Sequence, residues 1–425
     1  MTPQGHFMVT APVRTDQVTA LRELLATMNS GPGMVDPHNA LVPFARFDTI
    51  HVARFVVADD QTLDDRAAFP GMKPNERIPL VFLADCDGPG DALMALLAKE
   101  AESGLRRIFG HCDAFDAKTD LLAWMRSHQT PPTAIYVNWV GRTVRQAREE
   151  AILHDALFEA LCGIQERDPQ RLHAGLRAAI AAGAVPLTPI EPRTAAQWIA
   201  HILGFLGLAL LGLVLLPLVI VAAPFFLIAL RRRETTDPVI RKRADSARTR
   251  AIAINEDREV TNPFSAIGSL KPGWFRLAIT AVALQLVNLS AIFIYNRGRL
   301  ARVSTIHFAR WVLLDENRRV FFASNYDGSL ESYMDDFINK VAFGLNLVFS
   351  NGIAYPPTDF LVHRGAWREQ MFKHFLHRRQ VPTDVWYKAY PGLTTSDLAR
   401  NARIRQGFER TDMNDGEIRR WLAEI

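Results

Sequence analysis

Apolar side chains follow two rhythms along the first third of the chain. HFMVTAPV (6–13), TIHVARFVVAD (49–59), IPLVFLAD (78–85) and TAIYVNWV (133–140) are short runs rich in β-branched and aromatic residues, bounded by polar text, which predicts strands. TDQVTALRELLATMN (15–29), behind a capping Thr15 or Asp16, ALMALLAKEAESGLRRIF (92–109), DLLAWMRSH (120–128) and VRQAREEAILHDALFEALC (144–162) carry apolar residues at helical spacing. The order strand, helix, strand, strand, helix, strand is that of a ferredoxin-like α+β unit.

The pattern recurs. TIHFARWVLLD (305–315) matches TIHVARFVVAD at seven of eleven positions, including Thr49, His51 and Arg54 against Thr305, His307 and Arg310. PLVFLADCDGPGDALM (79–94) lies against RVFFASNYDGSLESYM (319–334), which sets Asp87-Gly88 opposite Asp327-Gly328. SGLRRIFGHCDAF (103–115) faces FGLNLVFSNGIAY (343–355), and the segment from Pro132 to Leu157 faces the one from Pro382 to Phe408. Two diverged copies, roughly 5–162 and 262–411, account for this similarity. The predicted fold is therefore α+β, with two tandem ferredoxin-like repeats pairing as a pseudo-symmetric α/β barrel around an inserted membrane segment. Residues 1–185 hold the first repeat, 186–260 the insert and its basic flank, and 261–425 the second repeat.

The insert breaks both rhythms. From Trp198 to Leu230 there is no charged residue, and an apolar run beyond about 18 residues marks a membrane segment. As one straight helix it would extend roughly 50 Å, against a hydrocarbon core of about 30 Å, so a bend is expected, and Pro217 and Pro224 are the natural places. The arginine-dense text that follows, RRRETTDPVIRKRADSARTR, favours the cytoplasmic side and anionic lipid. Paired copies must share a compartment. The expected topology is thus a helical hairpin at the inner membrane with both repeats cytoplasmic, the alternatives being a return crossing by 275–295 or a single crossing with unpaired copies.

Composition narrows the functions. A net charge of +4, without a basic stripe carrying interleaved aromatics, argues against nucleic acid as a partner. The three cysteines all lie in the first copy and have no CxxC spacing, which predicts neither a disulfide scaffold nor a cysteine metal site. The start of the sequence does not have the pattern of a cleaved secretory signal. GxSxG, phosphate-loop, HExxH and dinucleotide motifs are absent, so no metal is expected and no catalytic class is indicated by motif.

Candidate site residues come from the repeated strings. His51 and His307 are candidate ligand or proton-transfer groups facing the space between paired sheets, or else buried imidazoles bonded to backbone. Arg54 and Arg310 either bind an anion or bridge to a helix carboxylate. Strict alternation puts His307 and Arg310 on opposite faces of the strand unless it is bulged. Asp87 and Asp327, each at a strand end before Gly, are expected to cap the helices that follow.

The strings TIHFARWVLLD, FFASNYDGS, VWYKAYPGLTT and LARNARIRQGF resemble a family of uncharacterised bacterial membrane-associated proteins with the same tandem layout. More distantly, that layout and the Asp-Gly turn resemble the dye-decolourising peroxidase and chlorite dismutase superfamily of dimeric α/β barrels. This second resemblance implies haem as cofactor, Asp327 as distal acid, Arg310 as distal arginine and a histidine of the second copy as axial ligand. SNYDG supplies the aromatic Tyr326 before Asp-Gly but not the preceding Gly of the peroxidase motif. Three functions follow as expectations: a membrane-tethered protein holding a small hydrophobic ligand between its repeats, a haem-dependent oxidoreductase of peroxidase type, or a membrane-bound assembly module.

Overall fold

A computed structural model describes residues 1–72, 77–183 and 185–425. The first half runs β1 (Gln4–Pro12), α1 (Val18–Ala26), β2 (Ile50–Val57), β3 (Pro79–Asp87), α2 (Gly90–Glu100), α3 (Glu102–Phe109), α4 (Leu121–Ser127), β4 (Ala134–Val137), α5 (Val144–Gly163) and α6 (Pro169–Ala182). The insert forms α7 (Ala195–Thr236) and α8 (Ser246–Glu256). The second half repeats the order: β5 (Thr261–Ser269), α9 (Trp274–Phe293), β6 (Ile306–Leu314), β7 (Arg319–Asp327), α10 (Leu330–Phe349), α11 (Glu369–Arg379), β8 (Val385–Lys388), α12 (Thr395–Glu409) and α13 (Asp415–Leu422). Two small ribbons, 29–31 with 34–35 and 358–359 with 363–364, decorate the loops.

The architecture is mixed α+β with two antiparallel four-stranded sheets, and it departs from two self-contained units. The sheets read β1-β3-β2-β8 and β4-β6-β7-β5, so each half lends its fourth strand to the other. Val385 pairs with Phe55, and Ala134 with Trp311. Either copy's last strand could cover either open edge, because TAIYVNWV and TDVWYKAY hold the same place in their copies and are both rich in β-branched and aromatic residues. Sequence similarity alone therefore leaves the pairing undecided.

The sheets stay separate, and no closed barrel forms among the described residues. They stack face to face instead. Met8, Val56 and Leu83 of the first sheet bury against Ile267, Val312 and Phe321 of the second. The outer face of the first sheet packs Phe7, Phe55 and Phe82 on Leu21, Met94 and Leu97. That of the second packs Phe264, Trp311 and Phe322 with Leu284, Tyr333 and Met334. Leu153 and Leu157 of α5, Leu176 of α6, Ile404 of α12 and Trp421 of α13 share a further core across the halves.

The expected hairpin does not form. α7 is one continuous helix with Pro217 and Pro224 inside it, about 63 Å long at 1.5 Å per residue. Prolines in a long helix can bend it without ending it when only their own donors are lost. α7 is strongly apolar, with mean hydropathy 2.9 and 6% of its apolar window buried, which is compatible with membrane association. α9 also passes the length and composition test, yet it buries Ile279, Ala283 and Leu284 against the body, as α1 buries Leu21 and Leu25. The segment 275–295 of the alternative return crossing is this helix, which packs one face on the body with 33% of its apolar window buried.

Candidate functional site

Both histidines sit at irregularities in their strands. The register slips between Ile50 and Val52 and again between Ile306 and Phe308, so each half carries a β-bulge at its histidine. An extra residue in one strand re-aims the side chains beside it. The alternation argument that separated His307 from Arg310 therefore fails.

The bulges bring two His–Asp pairs to the junction between the halves. His51 Nε2 lies 2.9 Å from Asp87 Oδ1, and its Nδ1 lies 3.1 Å from the Tyr390 hydroxyl, a residue of the other half. His307 Nε2 lies 2.7 Å from Asp327 Oδ1 and 3.1 Å from Thr261 Oγ1. Burial pulls the His307 pKa below its ordinary value against the opposing pull of Asp327. Burial alone would raise the Asp327 pKa, but His307, Thr261 and Thr395 outweigh it and hold the carboxyl below the usual range. Lys388 donates to Thr261 Oγ1 (2.6 Å) and the Leu393 carbonyl (2.7 Å), and burial lowers its pKa to about 8.

The aspartates do not cap the helices that follow them. Asp87 Oδ2 accepts from the Val144 amide at 2.9 Å, and Asp327 Oδ2 from the Thr395 amide at 2.7 Å, which are the first residues of α5 and α12. α2 begins without a side-chain cap, and α10 is capped by Ser329. The conserved geometry between the two turns is the glycine: Gly88 and Gly328 have φ of 76° and 86°, a region that favours residues without Cβ. Each aspartate therefore ties the end of a strand to a histidine and to the start of α5 or α12.

The arginines lie deeper, between the sheets, and neither meets a helix carboxylate. Arg54 donates to the Phe264 and Ser324 carbonyls of the opposite sheet, each at 3.0 Å. Arg310 reciprocates, donating to the Phe7 carbonyl at 3.0 Å and pairing with Asp85. They clamp the sheets and are unavailable to an anion entering from solvent, with Arg54 and Arg310 1% and 2% exposed.

The haem expectation fails on the residues present. Asp327 accepts from His307, Thr261 and Thr395, and Arg310 is saturated by Asp85 and carbonyls, so neither is free to act on a distal ligand. The cleft lined by both histidines holds about 20 Å³. That suits one water, not a porphyrin. The expected ligand space between the sheets is filled by the apolar residues and the arginine clamps.

A larger apolar space lies on the outer face of the second sheet. It measures about 240 Å³ and is walled by Phe264, Trp311 and Phe322 of the sheet, Leu286 of α9, and Met334 and Phe337 of α10. α10 loses helical geometry at Val341, which lines the same cavity (φ −144°, ψ 29°). No histidine or cysteine lines it. Trp311 is 4% exposed, and its indole N–H has no acceptor. Strand periodicity marked Trp311 as apolar but carried no sign of a cavity, which arises from α9 and α10 standing apart over the sheet. Tyr390, Lys388 and Thr261 were likewise missed, since residues remote in sequence meet here only through the exchanged strands.

Comparison with protein families, curated proteins and solved structures finds no match to this chain.

Proposed function

We propose that this chain is a membrane-seated protein that holds the apolar part of a lipid-derived amphiphile in the cavity beneath α9 and α10. The observation that carries the reading is that cavity, apolar on nearly every wall, with the unsatisfied Trp311 N–H as the one buried donor without a partner among its described lining residues. An empty apolar space of this size leaves its lining without contacts, and a buried donor without an acceptor costs about 1–3 kcal/mol. An acyl chain ending in a carbonyl or ester oxygen removes both penalties.

The setting supports a bilayer source. α9, which walls the cavity, runs antiparallel to α7: Phe293 meets His201 at 5.2 Å between ring centres, and Phe275 meets Phe226 at 5.6 Å. Both ends of α7 are tied to the same body, by Met1 on Pro192 and by Arg231 on Asp359. Arginines flank both ends, Arg193 and Arg297 at one and Arg231 to Arg233 at the other, which suits anionic headgroups on one cytoplasmic face of an inner membrane. The shared order of elements and the reciprocal clamps support reading the halves as tandem ferredoxin-like units that fused and exchanged strands.

Gly344→Leu tests the reading. A Cβ at Gly344, which lines the cavity, meets nothing within 4 Å, so a leucine there has room to extend, while replacing a helical glycine favours the helix by about 1 kcal/mol. The variant should fold at least as well as the parent yet lose co-purifying or added fatty acid, read by mass spectrometry and by displacement of a fluorescent fatty acid in detergent. Equal occupancy in parent and variant, or none in the parent, refutes the proposal.

A further inference from the structure

We infer that the cleft between the halves is an anion site that seats a small-molecule carboxylate on the guanidinium of Arg142. This site is separate from the apolar cavity and does not depend on it. Arg142 lies in the turn between β4 and α5, is 5% exposed, and lines the cleft with Gln4, His51, Asn138, His307 and Tyr390. Its Nε and Nη2 have no hydrogen-bond partner. Those two N–H groups lie side by side on one edge of the guanidinium, the edge that receives both oxygens of a carboxylate. A buried cation with its best recognition edge empty is costly, because desolvation is lost without compensating bonds.

The surroundings hold that edge in place and leave it unfilled. The guanidinium stacks on Trp139 at 4.3 Å. Gln4 Nε2 donates to the Arg142 carbonyl at 2.5 Å and Gln4 Oε1 accepts from Gly141 at 2.7 Å, so this side chain is already used. Both nitrogens of His51 are engaged, one of them by Tyr390. The group that could compete is Glu150, one buried oxygen of which is also without a partner, and which makes no ion pair with Arg142. The roughly 20 Å³ of the cleft takes one carboxylate oxygen in the place a water would otherwise fill, so the second oxygen of a bidentate ligand bonds at the rim. A flat carboxylate inserted from the mouth fits this better than a tetrahedral sulfate or phosphate.

The test uses the full chain in detergent, titrated with sodium acetate against sodium chloride at equal ionic strength, with thermal midpoint and Trp139 emission as readouts. We expect a saturable rise in midpoint and a change in emission that is absent in Trp139→Phe. Arg142→Met should abolish the response, and Arg142→Lys, which keeps charge but loses the fork, should weaken it at least tenfold. Glu150→Gln, which removes the competing carboxylate, should strengthen it, and sodium sulfate should not replace acetate. If Arg142→Met fails to fold, the lysine and glutamine variants decide. No saturable response beyond chloride, or a response unchanged in Arg142→Lys, overturns the inference. So does a Glu150→Gln variant that loses stability without gaining acetate affinity, which assigns the two residues to a water-bridged ion pair.

Discussion

Glu256→Gln should stabilise the protein at neutral pH, and the effect can be worked from the surroundings of one carboxylate. Glu256 ends α8 and is 4% exposed. One oxygen accepts from the Thr383 amide at 2.6 Å and the other from Gln380 Nε2 at 2.9 Å. Burial pushes its pKa up to about 7, against the pull of those bonds and of Arg54. The rise from 4.5 to about 7 corresponds to about 3 kcal/mol, at about 1.4 kcal/mol per unit. Because the folded state holds the proton more tightly, this stability is complete below pH 4.5, is lost as pH rises through 7, and stays lost above it. Glutamine imitates the protonated acid. It keeps an acceptor for Thr383, and its amide can donate to Gln380 Oε1, which has no partner, once the Gln380 amide turns over. Denaturant unfolding in detergent should therefore show the variant more stable by about 3 kcal/mol at pH 8 and nearly equal to the parent at pH 4. A gain that does not change with pH, or a loss at pH 8, refutes the reasoning.

The reciprocal arginines offer a comparison at equivalent positions. Arg310→Met strands the buried carboxylate of Asp85 and should cost about 3–5 kcal/mol in unfolding experiments, whereas Arg54→Met leaves only neutral acceptors and should cost less. Equal losses would mean that Asp85 contributes nothing to the difference. Asp327→Asn should destabilise more than Asp87→Asn, because Asp327 accepts from His307, Thr261 and Thr395 while Asp87 accepts from His51 and Val144. The lowered Asp327 pKa supplies stability that is present above the unfolded value and is lost as pH falls through the folded one. A pH series of unfolding midpoints should thus show a flatter acid limb in Asp327→Asn, and an unchanged limb would contradict the assignment.

Much of the local structure was legible in the chain, and the misses share a cause. The strands around His51 and His307 follow from β-branched and aromatic runs, and α7 from its uncharged length, since both depend on neighbouring residues alone. The bulges were not legible, because a one-residue slip leaves no mark in composition. The Asp-Gly turns were read correctly for glycine and wrongly for aspartate: φ is local, whereas the aspartate's partners, Val144 and Thr395, lie more than fifty residues away. Arg54 and Arg310 were visible as a repeated residue, but their acceptors are carbonyls of the opposite sheet, which no pattern in one strand can specify. Proline spacing misled at α7, since a helix keeps going where only isolated donors are lost.

Strand exchange also constrains how α7 can meet a bilayer. β4 precedes α7 in the chain, yet it hydrogen-bonds to β6, which follows it. β8 follows α7 and hydrogen-bonds to β2, which precedes it. A single crossing by α7 would pull each of these ladders through the membrane, together with the α5–α12 core and the arginine clamps between the sheets. Both ladders, the α5–α12 core and the interlocked arginines would be lost together. A return crossing by α9 would strip Ile279, Ala283 and Leu284 from the body they pack against. Both ends of α7 are held on the one body that contains both halves. Under the membrane-seated reading proposed above, those anchored ends and their flanking arginines suit a helix that lies along the membrane face.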